Sequence, residues 1–250
     1  MDKTLLKGLA VLEAVAEQQG RSRTIEELAQ HLNMTRSNVH RTLQTLAHAR
    51  YVMKDEVTGS YSTTMKLFEL GGKQLARFDV RRFAPPYMRS LAELTGETVH
   101  LSILEGIDVV YIDKIDSAQP IRSYTTIGGR APAYAVATGK AMLAHQPDGY
   151  IDRYADRLQR YTPATITALP VLKEELATVR RLGYAVNHGE WRDTVGGLAV
   201  AIFNSLDQVV AGLGISGPLE RLNSARIRQF APQVKACAAQ LSAALGYQHG

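Results

Sequence analysis

The sequence predicts an α+β protein in three parts: a small helical domain closed by a hairpin (residues 1–63), a linker helix (64–84) and an antiparallel-sheet domain flanked by helices (85–250). Near the start, a helix with capping-box spacing runs through a tight turn into a second helix. Pro85-Pro86 then breaks the connecting helix, because proline lacks the backbone N–H and restricts the residue before it. Beyond it, two pairs of apolar runs surround short polar turns and alternate with amphipathic stretches. The 250 residues suit one large domain or two smaller ones at about 150 residues per domain, and 45% hydrophobic with 21% charged residues is an ordinary globular composition.

Leu5, Leu9, Leu12 and Ala16 recur at helical spacing, so residues 4–18 are predicted as an amphipathic helix stopped at Gly20. Thr24 followed by Glu27 has the spacing in which each side chain satisfies a free backbone N–H of the first turn. Ile25, Leu28, Ala29 and Leu32 then form one apolar stripe. Asn33-Met34 makes the turn, and Thr35 caps a third helix with Val39, Leu43 and Leu46 on a single face. Tyr51-Val52-Met53-Lys54 and Tyr61-Ser62-Thr63 read as strands joined by a turn at Thr58-Gly59. The whole is a winged helix-turn-helix.

At 100° per residue, the face opposite Val39, Leu43 and Leu46 carries Ser37, Arg41, Gln44 and His48, flanked by Asn38, His40 and Thr42. Arginine, asparagine and glutamine are the side chains that read base edges in the major groove, while serine and threonine contact phosphates. The alternative is a solvated helix face. Net charge is +5, spread over both halves, but Arg36, Arg41, Arg50 and Lys54 meet no acidic residue between positions 33 and 54. That purely positive window and the capped preceding helix favour double-stranded DNA as partner, with Thr35, Arg36, Ser37, Asn38, His40, Arg41, Thr42 and Gln44 on the helix and Lys54 on the wing as contacts. If the hairpin only covers the helical core, Asp55 and Glu56 point away from DNA.

In the linker, Met65, Phe68, Leu75 and Phe78 have helical spacing, Gly71-Gly72 weakens the middle, and Arg77, Arg81 and Arg82 stud the end. A short helix follows through Met88, Leu91 and Leu94 to Gly96. Residues 98–104 and 109–115 read as one strand pair, and 195–203 and 209–215 as a second. Helices are predicted near 138–146, 148–157 and 172–182, with a last one starting at Asn223 or Ser224 and carrying Ile227, Val234, Ala238, Leu241 and Leu245 on one stripe.

Several functions are disfavoured. There is no run of 18 apolar residues, so no membrane span or signal peptide is expected, and the cytoplasm is the expected location. Cys237 is the only cysteine, which excludes an intramolecular disulfide and a multi-cysteine zinc site. Gly139-Lys140 is not a phosphate loop, since Tyr134 stands where glycine is required and Ala141 where serine or threonine is. His188, Glu190 and Asp193 lack metal-ligand spacing and read as a polar loop. No nucleophile elbow occurs. The chain is expected not to be an enzyme and to need no metal or cofactor.

Lys7-Gly8-Leu9-Ala10-Val11-Leu12, Thr95-Gly96-Glu97-Thr98-Val99-His100-Leu101, Ile127-Gly128-Gly129-Arg130-Ala131-Pro132, Ala137-Thr138-Gly139-Lys140-Ala141 and Leu182-Gly183-Tyr184-Ala185 occur in an order and spacing that resembles the IclR family of transcriptional regulators across nearly the whole chain. The resemblance implies a GAF-like or PAS-like effector-binding domain for small organic acids. The carboxylate would be held by backbone N–H groups at Ala137 and Thr138, with Gly129 in the same site. The family's acidic residue after Gly-Tyr-Ala falls on Asn187, and its frequent cysteine ten residues later falls on Gly197; these departures imply a bulkier, aromatic acid. Trp191 stacking on a ring and Arg192 pairing with a carboxylate fit that reading, with a surface position as the alternative for each. His100 and Ser102 share a strand face with Leu104 and are expected to line the cavity.

The expected mechanism is ligand-controlled DNA binding, with repression as the sense the resemblance implies, by a homodimer or tetramer on a palindromic operator, since one recognition helix covers only a few base pairs. The competing reading is an architectural DNA-binding protein without ligand control.

Overall fold

In a computed structural model the described residues are 2–17, 23–75, 79–123 and 125–248, and they fall into two compact units, 1–77 and 78–250. Gly20, Arg77 and Phe78 lie outside the described residues.

The N-terminal unit opens with α1 (Lys3–Ala16), capped by the Asp2 side chain. α2 (Ile25–His31) starts with both halves of the capping box in place: the Thr24 backbone N–H donates to Glu27 at 2.8 Å and the Glu27 N–H to Thr24 Oγ1 at 3.3 Å. Asn33 takes a positive φ of 49° in the turn, a conformation asparagine tolerates better than most residues, and Thr35 caps α3 (Arg36–His48). β1 (Val52–Lys54) and β2 (Tyr61–Thr63) pair antiparallel as the wing. Val11, Val15, Leu28, Val39, Leu43, Val52 and Tyr61 form the core, which is the apolar stripe of each element turned inward. α4 (Met65–Leu75) is tied back to the wing's base, where Lys66 Nζ donates to the Ala49 carbonyl at 2.7 Å and sits over the Tyr51 ring. The C-terminal unit begins with α5 (Asp79–Phe83), within the span the sequence assigned to the linker helix.

After α6 (Pro85–Thr95), ended by Gly96 in the left-handed region, the strands build one antiparallel sheet of six. They are β3 (Thr98–Glu105), β4 (Asp108–Ile115), β5 (Arg130–Pro132), β6 (Ala185–His188), β7 (Val195–Phe203) and β8 (Val209–Pro218), in the order β5-β4-β3-β8-β7-β6. The sequence reading found the four long strands and missed β5 and β6, which have only three and four residues and no alternation to reveal them. α7 (Ala137–Leu143) lies on one face, with α8 (Leu169–Leu182) behind it; α6 and α9 (Ser224–Ala244) pack on the other. Residues 151–157 form a 3₁₀ helix rather than the expected α-helix.

All seven residues of α7 are buried, and glycines let its backbone approach the sheet at Gly212 and the turn after β5 at Gly139. A Cβ on Gly139 would lie 2.2 Å from the Ala133 carbonyl oxygen, and one on Gly212 would lie 2.8 Å from that of Thr138. Both obstacles are backbone, so neither can swing aside. Gly139→Ala is expected to lower the unfolding free energy of the C-terminal unit by about 2 kcal/mol or more in urea denaturation. Gly71→Ala in α4, where nothing lies within 4 Å of the added methyl, is expected to raise stability by about 0.5–1 kcal/mol.

Candidate nucleic-acid interface and ligand cavity

α3 buries Val39 and Leu43 and leaves Ser37, Asn38, His40, Arg41 and Gln44 exposed with Thr42 half-buried, the division its periodicity requires. Thr35 spends its hydroxyl on the Asn38 N–H at 3.3 Å, so its role in this structure is to start the helix. The cationic window is less isolated than the sequence suggested. Arg36 pairs with Glu26 of α2 at 2.8 Å, and Lys54 with Glu56 across the wing turn at 3.0 Å, which raises the Lys54 pKa through that hydrogen bond. Both pairs are solvent-exposed and worth little, so they can open to phosphate. Arg41, among the described residues, makes no ion pair and stands free at the middle of the exposed face.

The second site is a cavity of about 350 Å³ in the C-terminal unit. Register assembles its floor. Asn187 of β6 is opposite Gly197 of β7, and Gly197 is opposite Ser216 of β8, so residues far apart in sequence share one row across the sheet. His100 on β3 reaches that row diagonally, its Nε2 lying 2.7 Å from Ser216 Oγ and its Nδ1 3.3 Å from Thr125 Oγ1. Val136, Ala137 and Thr138, the entry to α7, form a wall; no side chain caps that helix. Trp191, Arg192, Thr194 and Val195 form the opposite rim, with the Arg192 guanidinium 4.7 Å from the Trp191 ring centre. Tyr111, Arg122, Ser123 and Ile215 complete the lining. Arg122 and Arg192 are the charged side chains of this lining, and no carboxylate is among them.

Seven of the expected cavity residues therefore meet: His100, Ala137, Thr138, Asn187, Trp191, Arg192 and Gly197. Ser102 and Gly129 do not line the cavity. Ser102 is on the correct face, but it lies opposite Gly212, where α7 presses its backbone onto the sheet and leaves no space. Gly129 builds the turn before β5, donating to the Thr126 carbonyl at 2.9 Å and accepting from the Tyr111 N–H at 3.0 Å. The sequence reading missed Arg122, Ser123, Thr125, Tyr111 and Ser216. The first three lie in an irregular segment with no periodicity, and Ser216 is one of several small residues on β8.

His100 is buried, and desolvation, with Lys114 nearby, pushes its pKa down to about 4, so the ring is neutral. Burial likewise pushes Tyr111, whose ring is 5.0 Å away, up to about 12. A neutral His100 can donate from one ring nitrogen while accepting at the other, linking the Ser216 and Thr125 hydroxyls.

A winged helix with an exposed hydrogen-bonding recognition face, joined to a sheet domain that encloses a cavity, defines a DNA-binding transcriptional regulator. Residues 72–243 match the family described as "Bacterial transcriptional regulator IclR C-terminal" and residues 4–56 match the "IclR helix-turn-helix domain". The chain is 37% identical to the HTH-type transcriptional regulator KdgR of Escherichia coli over 246 residues, covering 98% of this chain and 93% of that one. It is 31% identical to the HTH-type transcriptional repressor AllR of Klebsiella pneumoniae, covering 98% and 90%. The crystal structure of IclR from Thermotoga maritima superposes with a TM-score of 0.81 at 32% identity, covering 98% of this chain and 99% of that one. The chain belongs to the IclR family, whose members are regulators of transcription and not enzymes. No helix of the described residues is long and apolar enough to cross a membrane.

Below the ordinary histidine value of 6.5, an unfolded chain takes up a proton that folded His100 refuses until about pH 4, so stability is complete at neutral pH and falls through that window. Urea denaturation at about pH 7.5 and about pH 4.5 is expected to show a loss roughly 2–3 kcal/mol larger in the wild type than in His100→Gln.

Proposed function

We propose that this protein is a ligand-responsive regulator whose C-terminal cavity senses a small organic acid and whose winged helix binds a palindromic operator as a homodimer or tetramer. The cavity carries the proposal. Its volume falls within the roughly 300–1,000 Å³ typical of small-molecule sites, and its charged groups are two arginines with no opposing carboxylate. Asn187 and the hydroxyls of Ser123, Thr125, Thr138 and Ser216 supply neutral hydrogen-bonding groups, and Trp191 and Tyr111 supply aromatic faces. That combination suits an anion with both polar groups and a ring or carbon skeleton to cover. The open first turn of α7 adds a local positive potential.

Gly197 supports room for a bulkier acid. A Cβ there would lie 3.4 Å from the Ala137 Cβ and 3.7 Å from the Asn187 Cβ, so a side chain at this position would project between the helix wall and the floor. An acid acts on transcription only if it binds the DNA-competent and incompetent arrangements with different affinity. The linker region 64–84, which holds the end of one unit and the start of the other, is where we place the relay. Repression is the proposed sense, supported by the likeness to a relative named as a repressor.

Fluorescence anisotropy on the upstream intergenic DNA and a scrambled duplex at fixed salt, with a panel of aromatic and aliphatic acids, tests the whole reading. Tight, sequence-dependent binding shifted by one acid is expected; equal, salt-sensitive binding to both duplexes with no response would return the architectural alternative. Arg41→Ala is expected to weaken specific binding by about 1–3 kcal/mol and relax sequence preference at one position, whereas a uniform loss on every duplex would make it a phosphate contact. In calorimetry, Gly197→Cys is expected to weaken aromatic acids more than glyoxylate; equal affinity of the wild type for both sizes would remove the case for an enlarged pocket.

A further inference from the structure

The cavity's outer rim is a surface loop with a buried root. Trp191, Arg192 and Thr194 lie between β6 and β7, half-buried or exposed, yet Glu190 immediately before them is only 6% exposed. Its N–H donates to Asn187 Oδ1 at 3.0 Å, and its carbonyl accepts from the Thr162 and Thr165 hydroxyls. Its Oε1 accepts from Lys140 Nζ at 2.8 Å. Lys140 belongs to α7, just past the Ala137 and Thr138 that form the facing wall, and is fully buried. The same ammonium reaches Glu175 Oε1 on α8 at 2.8 Å. One nitrogen thus joins both walls of the cavity to the helix behind them.

We propose that Lys140 and Glu190 are positioning residues for the cavity: their ion pair pins the loop bearing Trp191 and Arg192 to α7, and so fixes the gap between Arg192 and the start of that helix. Neither residue lines the cavity, so both act through their neighbours. Two ions in a core add little net stability over apolar side chains of similar volume. What this pair supplies is a bond fixed in length and direction between two elements. Glu190 Oε2 has no hydrogen-bond partner and is buried, so the bond from Lys140 is what holds this carboxylate inside. Without it, water is the carboxylate's better partner, and the loop follows it outward. The consequence for affinity rests on the cavity being the acid site; the positioning itself does not.

Trp191 is the only tryptophan of the chain and reports the loop directly. The test is its emission maximum and acrylamide quenching in the full-length protein with no acid added, for wild type, Glu190→Gln, Lys140→Met and the double variant Lys140→Met/Glu190→Met. The double variant removes both buried charges, leaving only the half-exposed Glu175 without its partner, and keeps the test open where a single variant does not fold. With far-UV circular dichroism unchanged, emission is expected to shift to the red and the quenching constant to rise about twofold or more as the ring gains solvent access. Leu241→Ala, which removes a buried side chain from α9 outside the hydrophobic cluster that Trp191 packs against, serves as a control: it is expected to lower stability and leave Trp191 at wild-type values. A folded double variant with wild-type emission and quenching overturns the proposal. Because no acid is present, that outcome is separate from the panel titration, which decides whether the cavity takes an organic acid.

Discussion

The C-terminal unit depends on one close approach: a seven-residue helix buried on every side and set directly against a six-stranded sheet. A helix so short has no stability of its own and exists only through packing. Gly212 of β8 lets the sheet backbone meet the helix backbone at Thr138, and Gly139 lets the helix press on the Ala133 backbone just past β5. That proximity closes the sheet row over Ser102 and leaves a gap further along the sheet, where Asn187, Gly197, Ser216 and His100 meet. The cavity is therefore the place where the same contact ends.

Its electrostatics follow from that geometry. Burial beside the sheet keeps His100 neutral, so the positive potential comes from Arg122 and Arg192 at the rim, where water still reaches them. Charged rim groups with a neutral polar floor attract an anion without having to bury an unpaired cation beforehand. Among the described residues the fully buried cation is Lys140, which is matched by Glu190 and Glu175 and does not face the cavity.

Legibility in the sequence tracked periodicity. The capping box at Thr24 and Glu27, the cap at Thr35 and the stripe through Val39 and Leu43 are short-range patterns, and each formed as its spacing required. The long strands and the capped start of α9 at Asn223 were equally readable. Cavity residues were found where a motif or a strand's alternation marked them, as with Ala137, Thr138 and His100. Arg122, Ser123 and Thr125 had no such mark, because they lie in the irregular segment between β4 and β5, where no period marks which side chains turn inward. Lys140 and Glu190 were each noticed for the wrong chemistry, the first as a false phosphate loop and the second as a polar loop. Fifty positions separate them, and only the folded chain shows that they are partners.

The DNA-binding face shows the opposite limit of linear reading. Counted along the chain, residues 33–54 carry four cations and no anion. In space, Glu26 from the preceding helix and Glu56 from the wing turn stand beside two of those cations. Nonspecific affinity for a polyanion scales with the phosphates a protein neutralises, and these weak exposed pairs must open before either cation reaches a phosphate. In the function we propose, Arg41 and the polar side chains around it supply sequence preference through base edges, a term that does not grow with charge. A recognition surface of this kind gains strength by pairing with a second copy on a matched half-site rather than by added lysines. In the function we propose, occupancy is then sensitive to the spacing between two copies, and that spacing is the quantity through which a ligand in the separate unit acts.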